Sequence, residues 1–214
     1  MIPVSSPILD TNTSINTATV KSDWQQQMAS SFRTPTELLN YLCIEESTLP
    51  YKVDHQANFR LRVSQHFADL IHTDNPYDPI LLQVLPRLEE TEPQAGFTSD
   101  PLEESSFSPT PGLIHKYKNR VLLIAHQACA IHCRYCFRQH FPYKSQRLDD
   151  QALEKSVQYL NKHPEVNEVI LSGGDPLSLS DDHLIQLLQK IDNIAQVKTI
   201  RLHSRTPAII PDRI

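Results

Sequence analysis

The chain has 214 residues and a net charge of −5 at pH 7, with 39% hydrophobic and 21% charged residues, a balance that excludes wholesale disorder. Its longest apolar run, residues 121–125, is far short of the ~20 residues a bilayer requires, so no membrane association is expected. No basic residue precedes Lys21 and no apolar signal core is present, so the expected compartment is the cytoplasm. The acidic net charge argues against direct nucleic-acid binding.

In chain order, residues 1–20 hold ten Ser, Thr, Asn or Asp and no helical period, and read as a flexible tail. Helical signals start near Trp24, and Thr34-Pro35-Thr36-Glu37 is a capping box with proline in the first turn. The apolar spacing predicts further helices over 59–71 and about 79–88, then a connecting segment rich in Pro, Ser, Thr and Glu over 89–112. Residues 21–112 thus read as a helical region with a connecting segment, without catalytic signals. Cys43, in the apolar run Leu42-Cys43-Ile44, reads as a buried packing thiol.

From about residue 113 the pattern changes. Strands are predicted at 120–125, 168–171 and 197–203, separated by a helix capped near Asp149 and another capped by Ser180. Strand, helix, strand, helix, strand at this spacing is a parallel βα series, so the fold class is α/β, with 113–214 as the first part of a barrel. A closed barrel needs more such units, and the chain is expected to be part of a longer one.

Chemistry concentrates in Cys129-x3-Cys133-x2-Cys136, directly after the first of those strands. Three thiolates so spaced can hold three corners of a [4Fe–4S] cluster and leave one iron open to an incoming ligand. A zinc site completed by His126, His132 or His140 remains an alternative, as do three inert thiols. Only four glycines occur, and two are adjacent in Ser172-Gly173-Gly174-Asp175-Pro176, which points to a backbone requirement at the end of the second strand. Between residues 105 and 148 there are seven Lys or Arg and no Asp or Glu, a positive island suited to small anionic ligands.

Cys-Ala-Ile-His-Cys-Arg-Tyr-Cys-Phe-Arg and Ser172-Gly173-Gly174-Asp175-Pro176-Leu177 resemble the signatures of the radical S-adenosylmethionine (SAM) superfamily. His115-Lys116-Tyr117-Lys118-Asn119-Arg120, Arg138-Gln139-His140-Phe141-Pro142-Tyr143 and Ser204-Arg205-Thr206-Pro207 resemble, more narrowly, the lysine 2,3-aminomutase family. Asn75-Pro76-Tyr77-Asp78-Pro79 and the stretch from Gly96 to Glu104 resemble its branch that serves β-lysylation of elongation factor P. The resemblance implies a partial TIM-like radical SAM barrel and conversion of (S)-α-lysine to (R)-β-lysine by a 5′-deoxyadenosyl radical. It also implies three cofactors: a [4Fe–4S] cluster, SAM, and pyridoxal 5′-phosphate, which would carry the migrating amino group.

By the same resemblance, Cys129, Cys133 and Cys136 hold the cluster. Tyr135 lies near the adenine, and Ser172, Gly173, Gly174 and Asp175 lie against SAM. Lys116, Tyr117 and Arg120 hold the pyridoxal phosphate, and Arg138 clamps the α-carboxylate of L-lysine. Lys116 stands where the family usually has arginine. His203, at a strand end, faces the same site. The implied partners are an electron donor, elongation factor P and its β-lysyl ligase. None of the nine lysines here matches the family's cofactor-bearing lysine, which is expected beyond the third strand. A metabolic lysine 2,3-aminomutase, or a non-catalytic zinc or iron–sulfur module, are the alternative functions.

Overall fold

The computed structural model describes residues 23–214, so the tail expected over 1–20 lies outside the described residues. Helix α1 (Asp23–Ala29) buries Trp24. Helix α2 (Pro35–Tyr41) starts as its sequence dictates. The Thr34 hydroxyl accepts the Glu37 N–H at 3.2 Å and the Glu37 carboxylate accepts the Thr34 N–H at 3.1 Å, closing the capping box. It ends in a Schellman turn, in which Ile44 N–H reaches the Leu39 carbonyl and Cys43 N–H the Asn40 carbonyl. Cys43 is the left-handed residue of that turn, at φ 54°. It is exposed, contrary to the packing role expected of it: the helix end sends Leu42 into the core and Cys43 outward.

Two expected helices are largely absent. Within 59–71 only α3 (Gln65–Ala68) is helical. Val63 instead forms a bridge with Phe32 through hydrogen bonds of 2.8 and 3.2 Å, which takes its backbone out of any helix, and Ser64 caps the short α3. Over 79–88 a single 3₁₀ turn forms at Leu81–Gln83. The Asp78 carboxylate starts it by accepting the Ile80 and Leu81 N–H groups at 2.8 and 2.9 Å, and Pro86, which has no N–H, prevents its continuation.

The C-terminal half is a four-stranded sheet in the order β1 (Leu113–Tyr117), β2 (Arg120–His126), β3 (Glu168–Gly173), β4 (Thr199–Leu202). Helix α4 (Asp150–Asn161), capped by Asp149, links β2 to β3, and α5 (Asp181–Asp192) links β3 to β4; both strand pairs are parallel. β1, an antiparallel hairpin partner of β2, had no counterpart in the sequence pattern. Its alternation is weak, and its register with β2 slips between Ile114 and Tyr117. It covers one edge of the parallel sheet, while the other edge is the short, largely exposed β4.

Alternate residues of the central strands face opposite ways. Val121, Leu123, Val169 and Leu171 pack beneath Leu153 and Leu160 of α4 and Leu187 and Ile191 of α5. Both crossover helices therefore lie on one face, as right-handed βαβ connections require. The opposite face carries Leu122, Ile170 and Ser172 and lines a cavity. This is part of a barrel wall, with its inner surface open.

After β4 comes a short helix, α6 (Thr206–Ile209), where none was expected. Ile209 and Ile210 are fully buried in one core with Leu38, Val63, Phe67, Leu81 and Leu85 of the N-terminal region, and Ala130 and Ile131 of the cysteine loop enter the same core. Ser64 ties α3 to this segment by donating its hydroxyl to the Ile209 carbonyl at 2.6 Å. The core of the region before residue 113 is therefore completed by the loop that carries the cysteines and by residues 209–210. Among the described residues no helix is long and apolar enough to cross a membrane.

The glycine pair explains how the loops sit so close. At the end of β2 the register slips between Ile124 and His126, and His126 pairs with Gly173 at φ +102°. A Cβ at Gly173 would lie 2.6 Å from Ile124 Cγ2, and one at Gly174 would lie 2.6 Å from the Ala128 carbonyl oxygen and 2.7 Å from that of His126. The neighbours at Gly174 are backbone and cannot swing aside. Gly174→Ala is expected to lower stability by about 1–3 kcal/mol. A thermal unfolding midpoint equal to that of the unsubstituted chain would contradict this.

Candidate functional site

The site is built at the C-terminal ends of the parallel strands. Gly174 N–H donates to the His126 carbonyl at 2.8 Å and Asp175 N–H to the Ala128 carbonyl at 2.9 Å, pinning the start of the cysteine loop to the end of β3. The buried Asp175 carboxylate then gathers the segment after β4. One oxygen accepts Leu177 N–H at 2.9 Å and the Ser204 hydroxyl at 2.7 Å, and the other accepts Arg205 N–H at 2.7 Å and Thr206 N–H at 3.0 Å. Asp175, expected against SAM, has both oxygens engaged within the protein, where they join the turn after β3 to the segment after β4. The two glycines likewise give up their side-chain space to the protein's own atoms.

Cys129, Cys133 and Cys136 are free thiols, all half-buried. Burial pushes the Cys129 thiol up to about 12, and the nearby Asp175, Cys136 and Cys133 push the same way; burial also raises Cys136. Such thiols become thiolate ligands when a metal centre supplies compensating positive charge. Among the described residues no three His, Cys, Asp or Glu side chains converge to hold a single metal ion. A cubane does not need that convergence, since each thiolate binds a different iron. His132, one of the alternative zinc ligands, is stacked on Phe59 at 4.5 Å and bonded through Nδ1 to the Arg60 carbonyl at 2.6 Å.

Three polar residues to which the sequence pattern assigned no role surround the loop. Arg62 donates to the Cys129 carbonyl at 3.0 Å. Arg205 donates to Cys133 Sγ at 2.7 Å, to the Tyr135 hydroxyl at 2.6 Å and, through Nη2, to Gln83 Oε1 at 2.7 Å. Tyr135 is 63% exposed, and its ring faces outward beside the cysteines. Only Arg205 had a sequence signal, as part of the Ser204-Arg205-Thr206-Pro207 motif; Arg62 and Gln83 come from the N-terminal region and had none.

On the inner face of the sheet a cavity of about 500 Å³ is lined by Lys116, Tyr117, Arg120, Arg138, Ser172 and His203 among others. Residues separated by up to 87 positions, all expected at one site, therefore share one wall. Arg120 Nε is buried there without a hydrogen-bond partner. Lys116 is engaged elsewhere: its Nζ donates to the Leu102 carbonyl at 2.9 Å and lies 5.1 Å from the centre of the Phe107 ring. Arg138 is buried and doubly bonded to Glu104, Nε to Oε2 at 2.8 Å and Nη2 to Oε1 at 2.5 Å, while Nη1 meets the Ser172 hydroxyl at 3.3 Å. The positive island is acid-free in sequence only. In space Glu104 neutralises Arg138, and Glu90 pairs with Arg134.

Comparison with known proteins agrees with this arrangement. Residues 123–214 match the radical SAM superfamily. The chain is 43% identical over 195 residues to an L-lysine 2,3-aminomutase of Escherichia coli (strain K12) and 40% identical over 195 residues to one of Buchnera aphidicola, in each case covering 91% of this chain and 57% of the relative. An L-lysine 2,3-aminomutase of Clostridium subterminale is 33% identical over 194 residues, covering 90% of this chain and 47% of the relative. The chain spans about half the length of these relatives, between 47% and 57%. By sheet, cysteine loop and sequence, residues 123–214 carry a radical SAM domain. Within it, its similarity is to the lysine 2,3-aminomutases.

A radical SAM domain implies a [4Fe–4S] cluster and SAM, and the donor set fits: three free thiols on one loop, with polar groups beside them. Replacing any of Cys129, Cys133 or Cys136 by Ala is expected to abolish iron retention after anaerobic reconstitution, whereas Cys43→Ala, on the exposed end of α2, leaves it intact. Iron analysis and visible absorption check this, and full iron content in Cys133→Ala would refute the assignment.

Proposed function

We propose that this chain is the catalytic front of a radical SAM, pyridoxal-phosphate-dependent lysine 2,3-aminomutase. It would make (R)-β-lysine for attachment to elongation factor P by a β-lysyl ligase in the cytoplasm, with a separate electron donor reducing the cluster. The observation that carries this reading is the cavity: a sheet face with Lys116, Tyr117, Arg120, Arg138 and Ser172 around about 500 Å³, beside the cysteine loop.

When bound, the cluster and SAM supply hydrogen-atom abstraction, and pyridoxal phosphate supplies a carbonyl to carry the migrating amino group. The chain's own residues hold and orient. Arg120, whose buried Nε lacks a partner, and the Tyr117 hydroxyl would take a phosphate, a dianion that answers the orphaned donor. Lys116 adds charge from the rim as a point cation, without the planar fork an arginine would offer. Arg138 would bind the α-carboxylate of lysine, with its charge kept out of water by burial. Apolar Ile114, Leu122 and Ile170 line the same cavity and limit water around the reacting carbons.

The test uses the full-length enzyme, reconstituted anaerobically with iron, sulfide, SAM and pyridoxal phosphate and given L-lysine and a reductant. The expected product is β-lysine, which becomes attached to elongation factor P when the ligase is added. Arg138→Ala should weaken lysine use about 10- to 100-fold, the loss of a charge-assisted carboxylate contact, and leave SAM binding unchanged. Absence of β-lysine from an enzyme with a full cluster would sink the proposal.

A further inference from the structure

The strap over residues 100–107 ends at the cavity in a way the proposed reaction does not account for. Its Glu104 side chain is only 8% exposed and the Arg138 side chain 7%, so two opposite charges are buried against each other. The strap is firmly docked. Asp100 braces it from within, accepting the Glu104 N–H at 3.0 Å and the Ser105 hydroxyl at 3.1 Å; Lys116 of β1 holds the Leu102 carbonyl before the glutamate, and Ser108 donates its hydroxyl to Gln146 at 3.0 Å after it. Glu104 and Arg138 form part of the wall between the large cavity and a second one of about 80 Å³ that Asp100 also lines.

Glu104 takes Arg138 by one side only. It uses Nε and Nη2, and the remaining contact, Nη1 to Ser172, is long at 3.3 Å. A guanidinium has five N–H donors in a rigid plane, so side-on pairing leaves the end of the fork able to meet a second carboxylate. We propose that Glu104 is a positioning residue for substrate. It fixes the Arg138 guanidinium side-on, offsets the cost of burying its charge, and presents the far end of the fork to the carboxylate of an amino acid in the cavity. This rests on the reading of the cavity as the amino-acid site. The contrary role, a plug that the substrate's carboxylate must displace, fits poorly with a strap tied down on both sides of the glutamate.

The two roles predict opposite signs. In the full-length reconstituted enzyme, Glu104→Ala and Glu104→Gln are compared with Glu104→Asp, with steady-state constants for L-lysine and inhibition by 1,5-diaminopentane, which lacks the carboxylate. Positioning predicts a KM for lysine raised about 10- to 100-fold in the Ala variant and less in Gln. It also predicts kcat within a few-fold, partial rescue by Asp, and unchanged inhibition by the diamine. The Gln variant keeps shape and one acceptor, so it stays informative if Ala fails to fold. A lysine KM that is unchanged or lower would overturn the proposal, and so would a fall in kcat alone, the mark of a smaller folded fraction. If the unsubstituted enzyme instead rearranges another amino acid, the lysine reading fails and the Glu104 comparison is made with that substrate. If it binds no amino acid through a carboxylate, both fall.

Discussion

Four hydrogen bonds converge on the Asp175 carboxylate, and the arrangement of the site depends on them. Its two oxygens hold the turn after β3 and the segment after β4, while its own N–H and that of Gly174 hold the cysteine loop after β2. The three loops could otherwise diverge as the twisted strands fan out. Because the anchor is a buried carboxylate meeting several N–H and O–H donors, each bond is charge-assisted and stronger than a neutral one. The register slip in β2 and the two glycines beside it remove the atoms that would prevent this approach.

The consequence reaches well beyond the sheet edge. With the cysteine loop pinned, Ala130 and Ile131 enter the N-terminal core, and with the segment after β4 pinned, Ile209 and Ile210 do the same. The N-terminal core therefore packs on the loops rather than on the strands. That is how Arg62 and Gln83 come to touch the cysteine loop and its neighbour Arg205. The cysteine loop, from the middle of the chain, and the polar groups around it, from positions 62, 83 and 205, share one hydrophobic foundation.

Electrostatics divides the inner face in two. Toward the cysteines, burial makes the Cys129 and Cys136 thiols reluctant to ionise, which suits a site completed by metal charge. Toward β1 they are cations, of which Arg138 is already balanced by Glu104 and Arg120 keeps an unsatisfied donor. A cavity with one compensated and one uncompensated guanidinium can sort two anionic groups by place. The proposed pairing of an amino acid with a phosphorylated cofactor would use both places.

The sequence by itself determined the local features. The capping box at Thr34, the βα alternation from residue 120, the cysteine spacing and the glycine pair were all legible, because each is set by neighbours within a few residues. The resemblance of short motifs also grouped Lys116, Tyr117, Arg120, Arg138, Ser172 and His203, which line one cavity. What only the tertiary structure decided were the contacts between distant segments. Residues 59–63 stay out of a helix because Val63 pairs with Phe32; Cys43 turns outward because α2 ends there in a left-handed turn; and β1 forms because β2 offers it an edge. The partner of Arg138 lies just outside its acid-free stretch, at Glu104, and Asp175 serves the loops. No local pattern encodes these outcomes. A side chain's partner is fixed by which surfaces the packed core brings within hydrogen-bond reach, and that is a property of the whole fold.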